Sequence, residues 1–133
     1  METQLIGVDT SSRQVANLTG AVASFCAGKG DGLVHVFAPH ATAGVALMEL
    51  GSGSESDLVE AIERLLPRDD RYRHRHGATG HGADHLLPVF ISPSMVLPVF
   101  DGVAQLGTWQ SVVLVDTNDD NPHRTVRLSF LAG

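Results

Sequence analysis

Residues 95–106 read MVLPVFDGVAQL. In this segment two apolar runs flank the dipeptide Asp101-Gly102, which favours a tight hairpin turn because both turn residues tolerate a positive φ. A hairpin joins two antiparallel neighbours, so the segment predicts strands at Met95–Phe100 and Val103–Leu106. We take this hairpin as the start of a largely antiparallel sheet.

Apolar segments on either side of the hairpin extend this prediction. Further strands are predicted at Gln4–Asp9, Gln14–Leu18, Leu33–Phe37, Val45–Leu50, Trp109–Val115 and around Val126, Leu128 and Phe130. Helices are predicted after a Thr19 cap, at Glu55–Leu66 before Pro67, and in a short segment capped by Asp84. Strands at both ends with helices between them predict one α+β domain over residues 1–133.

The composition favours a globular protein and excludes several partner classes. The chain has 133 residues, 43% of them hydrophobic, and a formal net charge of −6, which argues against nucleic-acid binding. It has one cysteine, Cys26, which we expect to be buried, and therefore no intrachain disulfide. The N-terminus lacks the pattern of a signal peptide and no apolar run is long enough to cross a membrane, so we expect a cytoplasmic protein.

Histidine is the residue type that points to chemistry. The seven histidines are His35, His40, His74, His76, His81, His85 and His123. His40 ends a strand beside a loop of small residues, and His74 and His85 flank the loop 77–82. Three histidines with an open fourth position suit a catalytic zinc ion, with Glu49 as a fourth ligand or general base. His35 is expected to be structural and His123 exposed.

A long polar loop, Arg68–Gly82, precedes the short helix. It contains Arg68, Arg71, Arg73 and Arg75, interleaved with histidines. Loops of this length inside compact domains are usually functional or disordered, and the arginines suit an anionic small molecule. The alternative is a solvated loop without a ligand.

Five motifs occur in a fixed order along most of the chain. They are HATAGV at 40–45 with Glu49, YRH at 72–74, ADHL at 83–86, DG at 101–102 with LGTWQ at 106–110, and Asp116 with Arg124. This set resembles the YjbQ-like family, which is often labelled secondary thiamine-phosphate synthase. The combination of LGTWQ with the three histidines is the most specific part of the resemblance.

The resemblance implies an α+β sandwich that assembles as a homotrimer. It also implies a site of matched histidines, often occupied by a metal ion, near a subunit boundary. The activity attached to the family is formation of thiamine phosphate, in which hydroxymethylpyrimidine diphosphate is coupled to thiazole phosphate and pyrophosphate is released.

The sequence departs from the family's motifs at several polar positions. Apolar Met48 and Leu50 stand where the family has asparagines beside the glutamate, and Leu87 stands in place of a lysine. His81 replaces an asparagine of the loop, and Asp116 replaces a glutamate. These changes bear on the shared activity more than on the shared fold.

Two functions are consistent with these residues. The first is a transferase with a divalent metal ion, expected to be zinc, at His40, His74 and His85, where Glu49 and His85 take catalytic roles. Its phosphorylated substrate would contact Arg73, Arg124 and Gln110, with His81 and Asp116 as accessory residues. The second is a trimeric protein that binds a metal ion or small anion without robust catalysis. In both cases the Trp109 ring is expected to pack in the core.

Overall fold

The computed structural model describes residues 1–133. The chain forms eight strands and three helices. In chain order they are β1 (Glu2–Asp9), β2 (Val15–Asn17), α1 (Thr19–Cys26), β3 (Gly32–Phe37), β4 (Ala43–Met48), α2 (Ser54–Leu65), α3 (His81–Phe90), β5 (Ser94–Phe100), β6 (Val103–Ala104), β7 (Ser111–Asp116) and β8 (His123–Ala132).

The strands form two antiparallel sheets. The larger has the order β1-β8-β3-β5-β6 and the smaller the order β2-β7-β4. The predicted hairpin is confirmed: Phe100 pairs with Val103, and the turn residues Asp101 and Gly102 have φ values of 49° and 75°. The α+β class and the mostly antiparallel pairing are therefore as the sequence predicts.

Strand β7 is buried on both of its faces. Val112 and Leu114 face a core of 17 residues between the two sheets, which also takes in residues of α1. Val113 and Val115 face a second core of six residues, which α2 and α3 cover on the other side of the smaller sheet. A strand buried on both faces needs a continuous apolar run, and residues 111–115 supply it.

The outer face of the larger sheet has no layer over it in the single chain. Leu33, Val96, Phe100 and Leu131 project from this outer sheet face with 43%, 55%, 58% and 57% of their surface exposed. Leu33 lies opposite Leu131 on β8 and opposite the exposed Pro98 on β5, which stands between Val96 and Phe100, so the exposed side chains form a continuous patch. Exposed apolar patches of this kind mark interaction surfaces more often than isolated apolar residues do.

Helix α3 begins earlier than the sequence predicts. It starts at His81 after Gly80, whose φ of 90° reverses the chain, so Asp84 lies within the helix and does not cap it. Pro88, predicted in the first turn, lies near the C-terminal end of the helix. The prediction failed because Gly80 determines the start, whereas the Asp84 carboxylate is 2% exposed and bonds to Arg68 and Thr117.

Two predictions about single side chains had opposite outcomes. Cys26 is fully buried, as expected, and burial raises the pKa of its thiol. Trp109 is 73% exposed, so its predicted place in the core is wrong. Trp109 lies in a turn before β7, in which Gln110 Oε1 accepts a hydrogen bond from the Gly107 N–H, and β7 begins only at Ser111.

None of the three helices has the length and apolar character that a membrane crossing requires.

Candidate metal and ligand site

Helix α3 places two histidines on one side of the molecule. His81 and His85 are four residues apart, a spacing that puts both side chains on the same helix face. Gly80 sets the start of this helix, and a Cβ at Gly80 would lie 2.7 Å from the Arg68 guanidinium. The guanidinium therefore packs directly against the backbone where the helix begins.

The preceding loop brings a third histidine to the same place. The segment from Tyr72 to His74 crosses α3 at Gly82, where an added Cβ would lie 2.7 Å from both the His74 carbonyl oxygen and Tyr72 Cβ. Only glycine permits so close an approach between loop and helix. The close crossing holds the His74 ring beside those of His81 and His85.

These three residues form what we call the histidine cluster: His74, His81 and His85. One ring nitrogen from each lies within 4.8 Å of the others. The Nε2 atoms of His81 and His85 are 2.8 Å apart, and the ring of His74 is centred 4.4 Å from that of His85. The exposed ring of His76 adjoins the cluster, centred 4.1 Å from His74.

Two members of the cluster, His74 and His85, favour the uncharged imidazole ring. The pKa values of His74 and His85 are lowered, first by desolvation and then by neighbouring histidines that would repel a second positive charge. A neutral imidazole is the form that binds a metal ion. Three histidine nitrogens match the protein ligands of a catalytic zinc site, which keeps its fourth position open.

A cavity of about 320 Å³ opens beside the cluster. Its lining consists of Tyr72, Arg73, His74, Gly82, His85 and Leu86. Two members of the cluster thus face the cavity together with one guanidinium and two largely apolar side chains. This combination suits a small ligand that carries a negative group.

Comparison with known proteins assigns the family. The family model for UPF0047 protein YjbQ-like matches residues 4–133. This chain belongs to the UPF0047 YjbQ-like family. A UPF0047 protein of Mycobacterium tuberculosis is 61% identical to it over the whole of both chains. A UPF0047 protein of Archaeoglobus fulgidus is 32% identical over 76% of this chain and 79% of its own length.

Solved structures of similar proteins share the fold. A hypothetical protein from Aeropyrum pernix is 36% identical and superposes with a TM-score of 0.90 over the full length of both chains. A YbjQ-like protein of unknown function from Sulfolobus solfataricus, 24% identical, has the same TM-score over 99% of this chain and 97% of its own. The α+β architecture is therefore that of the YjbQ-like family.

The structure does not bring two of the predicted site residues to the cluster. The Nε2 atom of His40, a predicted metal ligand, lies 3.0 Å from both the backbone N and O of Thr125 on β8. Glu49, a predicted ligand or base, is exposed and forms no hydrogen bond or ion pair. His81 therefore replaces His40 as the third member of the cluster within one chain.

Arg124 and Asp116 form a buried ion pair. Arg124 Nε lies 2.5 Å from Asp116 Oδ2, and its Nη2 donates to Thr42 Oγ1 at 2.8 Å. The two residues are 6% and 1% exposed. The guanidinium is thus occupied by protein partners, and the structure does not place it at the cavity where a phosphate contact was predicted.

Three of the positions at which the chain departs from the family's motifs lie in the second core or pack against it. Met48 and Leu50 pack against the second core, and Leu87 is a buried member of it, so none of the three faces the cavity. Gln110, predicted to orient a ligand, closes the turn at Gly107. Of the three residues predicted to bind phosphate, Arg73 lines the cavity, whereas Gln110 and Arg124 do not.

From the sequence, His81 is predicted only as an accessory residue, and no role is predicted for Asp120. The four-residue spacing of His81 and His85 would place both side chains on one helix face. The sequence predicts a helix that begins only at Asp84, so the predicted helix does not include His81. Asp120 Oδ2 lies 3.1 Å from His81 Nδ1 across 39 residues of sequence. No local sequence pattern predicts this contact, because His81 and Asp120 are 39 residues apart.

The Arg124–Asp116 pair generates a stability prediction. We expect Arg124→Met to lower the free energy of unfolding by about 3–5 kcal/mol, because it leaves the Asp116 carboxylate buried without its partner. Urea unfolding followed by circular dichroism measures this change. The control is Arg127→Met on the same strand, an exposed arginine whose side chain donates only to Thr3, and which should change the value by under about 1 kcal/mol. An Arg124 variant as stable as wild type would contradict a structural role.

Proposed function

We propose that this protein binds one divalent transition-metal ion, expected to be zinc, through His74, His81 and His85, and holds a small phosphorylated molecule in the adjoining cavity. The observation that carries the proposal is the convergence of three ring nitrogens within 4.8 Å from a loop and a helix. Zinc bound by three histidines supplies a Lewis acid with an open position.

The Arg73 side chain supports the proposal that the ligand is phosphorylated. Its side chain is exposed, lines the cavity beside His74 and His85, and forms no hydrogen bond within the chain. A free guanidinium can bind two phosphate oxygens at once. Arg71, by contrast, donates to both carboxylate oxygens of Asp69 at 2.8 Å and lacks this freedom.

The resemblance favours a specific reaction at this site, the coupling of hydroxymethylpyrimidine diphosphate to thiazole phosphate with release of pyrophosphate. In that reaction Arg73 would hold a phosphate group, and His74 and His85 would line the pocket for the leaving pyrophosphate. The alternative is binding without catalysis. The exposed position of Glu49 favours the alternative, because it leaves the cluster without the predicted general base.

A third proposal concerns assembly: three copies of the chain form a homotrimer through the outer sheet face. The exposed side chains of Leu33, Val96, Phe100 and Leu131 support it, since an apolar patch of this kind is removed from water when copies associate. The cytoplasmic location predicted from the sequence stays a prediction.

The metal site is tested by zinc titration of the chelator-treated protein in a calorimeter. We expect one zinc ion per chain, and a loss of affinity of at least about 100-fold in His81→Ala because one of three ligands is removed. His35→Ala is the control, since His35 bonds to Ser94 on the larger sheet and should leave the affinity unchanged. Absence of zinc binding by the wild type, or an unchanged affinity in His81→Ala, contradicts the proposal. The variant His40→Ala decides between His40 and His81 as third ligand.

The ligand is tested with inorganic pyrophosphate added to the zinc-loaded protein. We expect Arg73→Gln to weaken pyrophosphate binding by about 10-fold or more, while the matched Arg71→Gln leaves it unchanged. Supplying the two precursors and measuring pyrophosphate release then separates the alternatives. Release that disappears in His85→Ala supports the transferase, and binding without release supports the binding protein. Equal binding by both arginine variants would refute the assigned role of Arg73.

The trimer is tested by light scattering. We expect a mass three times the 14.1 kDa of one chain, and a monomer mass for Val96→Glu because the substitution places a charge in the apolar interface. Leu65→Glu, at the exposed end of α2, is the control and should stay trimeric. A monomeric wild type, or a trimeric Val96→Glu, rules out this interface.

A further inference from the structure

The ring of His81 is held from both of its nitrogens. Nδ1 lies 3.1 Å from Asp120 Oδ2, and Nε2 lies 2.8 Å from His85 Nε2. An ionised carboxylate only accepts hydrogen bonds, and a neutral imidazole carries a proton on one nitrogen. The contact with Asp120 therefore favours the proton on Nδ1, which leaves the lone pair of Nε2 directed at the other histidines.

Asp120 is itself fixed by a turn that follows β7. The buried Asn118 side chain accepts hydrogen bonds from the backbone N–H groups of Asp120 and Asn121, at 2.7 and 3.3 Å. The N–H of Asn118 in turn donates to Asp116 Oδ1 at 3.0 Å. Since Asp116 belongs to the buried ion pair, the position of Asp120 is tied to the protein core.

The loop closes over the pair at Gly77. A Cβ at this position would lie 3.0 Å from the ring of His81 and 3.3 Å from Asp120 Oδ2, and the φ of Gly77 is +82°. The backbone therefore contacts both members of the pair from one side. The His81 side chain is left with 13% of its surface exposed and that of Asp120 with 40%.

We propose that Asp120 is a positioning residue, which holds His81 as the Nδ1–H tautomer and directs Nε2 into the histidine cluster. The consequence for zinc rests on the proposed metal site. A carboxylate behind a ligating histidine fixes the ring orientation and raises the basicity of the ligand nitrogen, and its loss typically lowers metal affinity by about 10- to 100-fold. Asp120 thus acts on the metal through His81, without being a ligand.

The tautomer is measured first, in the metal-free protein. Nitrogen-15 NMR of the His81 ring at about pH 8, where an ordinary histidine is neutral, distinguishes a protonated Nδ1 from a protonated Nε2. We expect Nδ1–H in the wild type and a shift toward Nε2–H in Asp120→Ala. In Asp120→Asn the amide oxygen can still accept the hydrogen bond, so the Nδ1–H tautomer should be retained.

Zinc affinity is measured next on the same variants. We expect a loss of about 10- to 100-fold in Asp120→Ala and a smaller loss in Asp120→Asn. The matched control is Asp119→Asn, which removes the same charge from the same turn. Asp119 is 83% exposed and 3.7 Å from Arg68, so its substitution should change zinc affinity by under about twofold.

The outcomes separate this inference from the proposed function. A wild type that binds no zinc refutes the metal site, while the tautomer measured without metal still decides the role of Asp120. An unchanged His81 tautomer in Asp120→Ala overturns the inference, even if zinc affinity falls, because the effect would then be structural only. A changed tautomer with wild-type zinc affinity overturns the positioning role for the metal.

Discussion

The burial of β7 on both faces is the constraint on which the rest of the structure depends. Its side chains alternate between the core shared by the two sheets and the core covered by α2 and α3. Each buried valine or leucine contributes on the order of 1.5–3 kcal/mol by leaving water. Because both layers use the same strand, its position fixes the larger sheet and the helices relative to each other.

Polar residues 116–118, at the end of β7 and directly after it, connect the core to the histidine cluster. Asp116 holds Arg124 on β8, and the next residue, Thr117, donates to Asp84 in α3 at 2.8 Å. Asn118 then fixes the turn that presents Asp120 to His81. Three consecutive residues thus link a strand, a helix and a loop.

The pKa of Asp84 is raised, mainly by desolvation and in part by the nearby buried carboxylate of Asp116. The arginines and hydroxyl groups that bond to these carboxylates offset part of the desolvation.

Local patterns predicted what depends on local structure. The β5–β6 hairpin, helix α2 and the burial of Cys26 follow from turn chemistry, helical periodicity and apolar character, and the structure agrees with each. Two expectations failed for different reasons, one local and one tertiary. Trp109 was placed in the core by its apolar ring, yet Gln110 bends the chain before β7 begins. Asp84 was placed at a helix cap, yet tertiary partners hold it inside the protein.

The sequence by itself determined the fold class, the antiparallel hairpin and the concentration of histidines around the loop 68–82. Only the tertiary structure decided which histidines meet. It joins His74, from the loop, to the helical pair His81 and His85, directs His40 to the backbone of Thr125, and buries Arg124 against Asp116. The physical reason is that a cluster depends on contacts between distant segments, here the crossing at Gly82 and the turn at Asp120. Such contacts are set by the packing of layers and leave no local pattern in the sequence.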